Sequence, residues 1–292
     1  MVETAYYRFD DLESEFTIAP AGRHTLFSDN EFVSRLRGNL DKLLDGQRIL
    51  SLDVFDTLLL RDNSSELTRF FEVGGRMAQI VEAETGQAVS QVDALVARHL
   101  GTKATYRASQ LEHGCREGSL TELHTTASRL LANTNKLTEL FISAELENET
   151  QRIKRNEFLF DFVADYRSAG GRVVLISDMY MHKQHIAKLL EDFALGPDGY
   201  DFLVSSADTK VSKASGRIFS LVEQDLGEAA DNFVHVGDSL RGDFVQPLRM
   251  GWSAVHWPLA KFDILERQRD HLVTQELLAS KYGLELDIAM PR

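Results

Sequence analysis

The chain has 292 residues, 43% hydrophobic and 26% charged, proportions that exclude disorder as its main state and allow a substantial core without disulfide or metal staples. Thirty-two lysines and arginines against forty-five aspartates and glutamates leave a net charge of −13, a field that repels phosphate backbones and anionic lipid, so no nucleic-acid or membrane partner is expected. One cysteine, Cys115, forms no internal disulfide, and Met1 to Leu12 has neither the basic nor the apolar region of a secretory signal. A reducing, cytoplasmic compartment is therefore expected, and no apolar run approaches the roughly 18–20 residues that span a bilayer.

Residues 1–47 read as an N-terminal extension that packs on the core, with a helix opened by the capping box Ser28-Asp29-Asn30-Glu31 and faced by Phe32, Leu36, Leu40 and Leu43. The first strand is Ile49–Phe55. From Asp62 to Gly171 there is no proline, and helical stripes recur: Leu67, Phe70, Phe71, Met77, Ile80 and Val81; then Val92, Leu95 and Val96; then Leu137, Leu140, Phe141, Ala144 and Leu146. Gly114 and Gly118 bracket a turn. The helix carrying Phe158, Phe162 and Tyr166, stopped by Gly170-Gly171, returns to the core. Four further apolar runs follow, Arg172–Ser177, Phe202–Ser205, Phe233–Gly237 and Ser253–Trp257, separated by helical patterns at Ile186, Leu189, Leu190 and Phe193, at Ile218, Leu221, Val222 and Leu226, and at Phe244, Val245 and Leu248 with Pro247 inside the last. A helix carrying Ile264, Leu265, Leu272, Leu277 and Leu278 occupies 259–292. Alternating strands and helices require crossovers, so the fold class is α/β: a Rossmann-like parallel sheet (48–61 and 158–258) with an inserted all-helical domain (62–157).

In such a sheet ligands gather beyond the carboxyl ends of the strands. Polar groups follow the apolar runs there: Asp53, Ser177, Lys213, Asp238 and Asp243. A parallel sheet brings Asp53 and Asp238 side by side, and two close carboxylates are best reconciled by a hard divalent cation with oxygen ligands, Mg²⁺. Magnesium that keeps waters and few protein ligands bridges to phosphate, so a phosphoryl group is the implied electrophile. Asp53 can attack it, and the Ser177 hydroxyl and Lys213 ammonium can stabilise the equatorial oxygens.

In this order the segments Asp53-Val54-Phe55-Asp56-Thr57-Leu58, Val174-Leu175-Ile176-Ser177-Asp178, Lys213-Ala214-Ser215-Gly216-Arg217-Ile218-Phe219 and Gly237-Asp238-Ser239-Leu240-Arg241-Gly242-Asp243 resemble the four motifs of the haloacid dehalogenase-like (HAD) superfamily, most of whose members are magnesium-dependent phosphatases. The resemblance implies Asp53 as nucleophile and metal ligand, the Phe55 carbonyl and Asp238 as further ligands, Asp243 supporting or joining them, Ser177, Asp178 and Lys213 on the phosphate, and the helical insertion as a cap over a small phosphorylated metabolite. Lys210 is the rival of Lys213, but the Lys-x-x-Gly-x-Ile-Phe run favours Lys213.

The pattern breaks at Phe55, where the family's phosphatases carry an acid/base aspartate; its loss costs about 10²–10⁴-fold in rate. Asp56, standing where the family usually has glycine, reads equally as a turn aspartate. His182 and Tyr180 are further proton donors to consider, Cys115 reads as inert, and Arg61 and Arg241 read as either substrate-binding or surface. The Asp-x-Phe-Asp-Thr variant is similar to a branch of hydrolase-like proteins, some occurring alongside glycosyltransferases, a resemblance that implies a sugar phosphate or a surface-glycan role. Three functions are carried forward: a phosphohydrolase, a catalytically impaired phosphate- or partner-binding protein, and a metal-free dehalogenase.

Overall fold

Ile49, Leu50, Ser51, Leu52 and Asp53 are buried throughout, as in a strand covered on both faces at the centre of a parallel sheet. The computed structural model describes residues 10–44 and 48–291. They form two units, one running to Arg61 and including Glu112–Cys115 and Lys154–Asp263, the other comprising Asp62–Leu111, Arg116–Ile153 and the chain from Ile264.

The first unit is α/β. Its strands are β1 (Ile49–Asp53), β4 (Val173–Ser177), β5 (Phe202–Ser205), β6 (Phe233–Gly237) and β7 (Ser253–His256), all parallel in the order β5-β4-β1-β6-β7. The register sets Leu52 beside Leu175 on one side and Val236 on the other, so the carboxyl ends of β1, β4 and β6 are neighbours. Two three-residue strands with no sequence signature, β2 (Leu59–Arg61) and β3 (Ile153–Arg155), pair separately.

The helices of this unit are α1 (Asp10–Ile18), α2 (Arg23–Leu26), α3 (Asn30–Leu44), α8 (Glu157–Ser168), α9 (Lys183–Asp192), α10 (Ser206–Thr209), α11 (Arg217–Leu226) and α12 (Gln246–Arg249). Ile218, Phe219 and Val222 of α11 pack with Ile49, Val174, Ile176, Phe233 and Trp252. The Trp252 ring stacks on Phe233 at 4.0 Å and its N–H donates to Glu223 at 2.6 Å. Cys115 is buried in the same cluster. Phe16, Phe32 and Phe158 gather near Trp257, with Phe16–Phe32 centroids 5.1 Å apart. The cap of α3 is Asp29, whose Oδ1 accepts from Phe32 N–H at 2.9 Å. The expected Ser28 cap is corrected: its hydroxyl turns back to the His24 carbonyl. Likewise the Phe244–Leu248 helix is a π-helical turn over Leu240–Val245 running into α12, where Pro247 sits in a first turn and forfeits no helical bond.

The second unit is helical: α4 (Glu66–Thr85), α5 (Gln91–Ala108), α6 (Leu120–Ala132), α7 (Thr138–Arg152) and α13 (Lys261–Tyr282), the last beginning just before the division. Ser65, Ser90 and Ser119 cap α4, α5 and α6, the last in a full capping box with Glu122. A Cβ on Gly101 would lie 2.4 Å from the Leu123 carbonyl oxygen, so this glycine lets α5 and α6 approach. Inside the bundle Glu145 accepts from Arg98 Nε at 2.7 Å and meets His124 Nε2 at 2.8 Å. On α13 the apolar expectation is corrected in part. Leu278 is buried, but Leu265, Leu272 and Leu277 are exposed, while Arg267, His271 and Thr274 are buried. This inner face is polar because it serves the start of α4: Asp270 accepts from Ser65 N–H at 2.7 Å, and Thr274 meets Thr68 at 2.6 Å. Among the described residues no helix is long and apolar enough to cross a membrane.

Candidate active site

Asp53 ends β1, Ser177 ends β4, and Asp238 directly follows β6. The sheet order therefore assembles these groups, with Lys213 entering from a 3₁₀ turn ahead of α11. Oxygens of Asp53, Asp238 and Asp243 lie within 4.8 Å of one another. Lys213 is 3% exposed; its ammonium donates to Asp53 Oδ1 and to Asp243 Oδ1. Lys210, its rival, caps α10 in a left-handed conformation.

Asp243 is the organiser of this cluster. Its Oδ1 also meets His235 Nε2 at 3.0 Å, and its Oδ2 accepts from Ser239 N–H at 2.9 Å. His235 Nδ1 is 2.7 Å from the Ser51 hydroxyl. A neutral imidazole satisfies both contacts when Nε2–H donates to the carboxylate and Nδ1 accepts from the serine. Burial lowers the His235 pKa, consistent with that form. Gly237 leaves the space for Asp243: a Cβ there would stand 2.4 Å from the carboxyl carbon. The chain Ser51–His235–Asp243–Lys213–Asp53 thus runs through the buried end of the sheet. Sequence reading missed its first two members, although a histidine inside the buried run Phe233–Gly237 is the signal that marks one of them.

Burial opposes the Lys213 charge, but the Asp243, Asp53 and Asp178 carboxylates raise it above the ordinary lysine range. Burial equally opposes Asp243, yet Lys213 and His235 hold it well below the usual carboxylate range. Asp53 goes the other way, raised by burial to about 6 against the pull of Lys213. Asp238 is raised well above its ordinary value by burial and by the charges of Asp53, Asp56 and Asp243. One ammonium thus faces three carboxylates. Asp53 Oδ2 is buried without a hydrogen-bond partner, and a lone pair so placed is costly unless it meets a cation or an electrophile. The hard-oxygen donors and the excess negative charge fit a divalent cation, and the orphaned oxygen is open to an electrophile.

After Asp53 the chain turns back through Leu58 N–H to Val54 O (3.0 Å) and Asp56 N–H to Leu59 O (2.7 Å). Asp56 has φ +59°, a left-handed position that suits glycine and that aspartate tolerates. Its carboxylate lies 3.8 Å from Arg23 and 4.0 Å from Arg61 and accepts from Arg61 N–H at 3.4 Å. Arg23, from the N-terminal extension, is 3% exposed and donates to the Asp56 and Trp257 carbonyls. No sequence signal marked it. Phe55 is buried under the Arg61 guanidinium, 4.3 Å from the ring centroid.

Ser177 is buried, whereas Asp178 is exposed. His182 begins α9 with Nδ1 2.8 Å from Asp208, away from these carboxylates' contacts. Cys115 packs 3.5 Å from the Ser212 hydroxyl.

The family model for haloacid dehalogenase-like hydrolases matches residues 48–244, well over half of the chain. No curated protein matches. Among solved structures, the 2-haloacid dehalogenase of Pseudomonas syringae pv. Tomato DC3000 is similar at 13% identity and a TM-score of 0.50, covering 70% of this chain and 84% of that one. A HAD-family enzyme of Bacteroides thetaiotaomicron, solved with magnesium and inorganic phosphate, is similar at 15% identity and a TM-score of 0.46, covering 72% and 93%. With a matching parallel sheet and motif residues gathered at its carboxyl edge, the chain belongs to the haloacid dehalogenase-like hydrolase family.

Proposed function

We propose that the protein is a magnesium-dependent phosphohydrolase acting on a small phosphorylated metabolite, a sugar phosphate among the candidates, through an aspartyl-phosphate on Asp53. The observation that carries this reading is the cluster of Asp53, Asp238 and Asp243 around Lys213, with one oxygen of Asp53 unengaged. Asp53, Asp238, the Phe55 carbonyl and Asp243 would hold the cation, which supplies charge neutralisation at the phosphoryl oxygens. Asp53 Oδ2 is the attacking atom. Lys213 keeps its proton and stabilises equatorial charge, and Ser177 and Asp178 border the phosphoryl group. Asp243 bonds Lys213 and so fixes its ammonium beside the nucleophile. In this reading the helical unit is the family's cap, and substrate choice resides there. Three carboxylates favour metal chemistry over metal-free halide displacement.

A second reading, a phosphate-binding protein of impaired turnover, is supported by Phe55 at the acid/base position. Phosphate release from a panel of phosphorylated metabolites separates the two. Magnesium-dependent turnover that disappears in Asp53→Asn supports the enzyme; retained phosphate binding with no turnover supports the binding protein.

A further inference from the structure

The first half of an aspartyl-phosphate cycle needs a proton for the leaving oxygen, and the second needs a base for water. Apart from Asp53 and Asp238, which in the reading above hold the cation, the following ionisable neighbours are already engaged. Lys213 is shared by Asp53 and Asp243, and Asp243 bears bonds from Lys213, His235 and Ser239. Both nitrogens of His235 are used, by Ser51 and Asp243. His256 is likewise used by Glu13 and the Asp238 carbonyl, both 2.9–3.0 Å away. Asp56 is bracketed by Arg23 and Arg61. Asp178, by contrast, is exposed at the end of β4. The position two residues after the nucleophile holds the Phe55 ring, covered by Arg61. Groups that stabilise a transferring phosphoryl are therefore present, while His235, His256 and Asp56 are committed to other partners and a phenyl ring stands at the acid/base position.

From this division we infer that the site takes phosphoryl donors whose leaving group departs as a stable anion, acyl phosphates and phosphoanhydrides, and that the phosphoryl group then persists on Asp53. The inference rests on the phosphoryl-transfer reading above and narrows its substrate class. In the first step the Asp53 Oδ2–P bond forms as the P–O bond to the leaving group breaks; the electron pair stays on the departing carboxylate or phosphate, which needs no proton at neutral pH. An alkyl ester would have to expel an alkoxide. In the second step a water oxygen bonds to phosphorus, the Asp53–P bond breaks, and the water proton passes to bulk solvent, a slow path without a positioned base.

The test incubates the full chain and Mg²⁺ with acetyl phosphate, pyrophosphate or glycerol 3-phosphate, following intact-protein mass and phosphate release. The expected result is a one-phosphoryl adduct from acetyl phosphate, discharged by hydroxylamine and absent in Asp53→Asn, with glycerol 3-phosphate slower by about 10²-fold or more. Phe55→Asp should shorten the adduct's lifetime by a similar factor; if that variant does not fold, the donor comparison on wild type decides alone. Glycerol 3-phosphate turned over within about tenfold of acetyl phosphate, with no adduct, overturns the inference and leaves the phosphohydrolase reading standing. Neither adduct nor release from any donor, in wild type and Phe55→Asp alike, overturns the phosphoryl-transfer reading and this inference with it.

Discussion

Arg23 is the residue whose removal tests the description of the site most directly. Arg23→Met keeps the apolar stem and deletes the guanidinium, leaving the buried carbonyls of Trp257 and Asp56 without these donors and the Asp56 carboxylate without the Arg23 charge, with Arg61 4.0 Å away. Each stranded acceptor costs about 1–3 kcal/mol, and breaking a buried pair from one side costs about 3–5 kcal/mol in all. At about 2–4 °C per kcal/mol for a chain approaching this length, the melting temperature should fall by about 6–20 °C. Scanning calorimetry measures it. Asp56→Asn in the Arg23→Met background should recover part of the loss, a coupling of about 1 kcal/mol or more read from the double-mutant cycle. An Arg23→Met protein melting within about 2 °C of wild type would refute the idea that the N-terminal extension secures the loop after Asp53.

Magnesium should raise the melting temperature by relieving the repulsion around Asp238, by the equivalent of about 2.7 kcal/mol at a hundredfold excess over Kd; no shift in wild type, or the same shift in Asp238→Asn, would contradict the cation site. Gly237→Ala forces a methyl against the Asp243 carboxyl carbon, costing about 1–3 kcal/mol and displacing the partner of Lys213, so phosphoryl transfer should fall further than stability does; unchanged adduct formation would count against Asp243 as the organiser. In the helical unit, burial holds His124 below its ordinary 6.5. Burial opposes the Glu145 charge, but Arg98 and His124 keep its carboxyl well below the usual range. Both folded pKa values are depressed, so the unfolded chain binds more protons in acid: stability is full above pH 6.5 and declines as pH falls, with Glu145 adding to the loss below 4.5. Urea midpoints at pH 7 and 5 should separate more for wild type than for His124→Gln; equal separations would rule out His124.

The five sheet strands were legible because each is a short apolar run, buried along its whole length in β1, β4 and β6 and over part of it in β5 and β7, and their alternation with helices fixed a parallel arrangement. From that arrangement the meeting of Asp53 with Asp238 followed before any coordinate. What escaped is of two kinds. β2 and β3, three residues each, are too short to show a period. At Ser28 the Ser-x-x-Glu spacing suggested a box, yet the adjacent Asp29 is an equally good cap, and only geometry chooses between them. Arg23 belongs to the second kind: its partners lie 33 and 234 residues away, and nothing in Gly22-Arg23-His24 announces them. The polar inner face of α13 escaped for the same reason, since Arg267, His271 and Thr274 read as a surface until their burial is seen.

The division of the chain also bears on the order in which it can be made. The helical unit includes residues after 264, and Leu278 packs with Leu67, Phe70, Val92 and Leu95 while Leu284, Leu286 and Ile288 lie against the same cluster. A ribosome releases residues 62–153 well before this closing layer. In the nascent protein Leu67, Leu95 and Phe70 wait uncovered while the other four strands of the α/β sheet, β4 to β7, are synthesised, so the segment translated first in the insertion is sealed last, and an arrest before residue 264 leaves an apolar face open to chaperones.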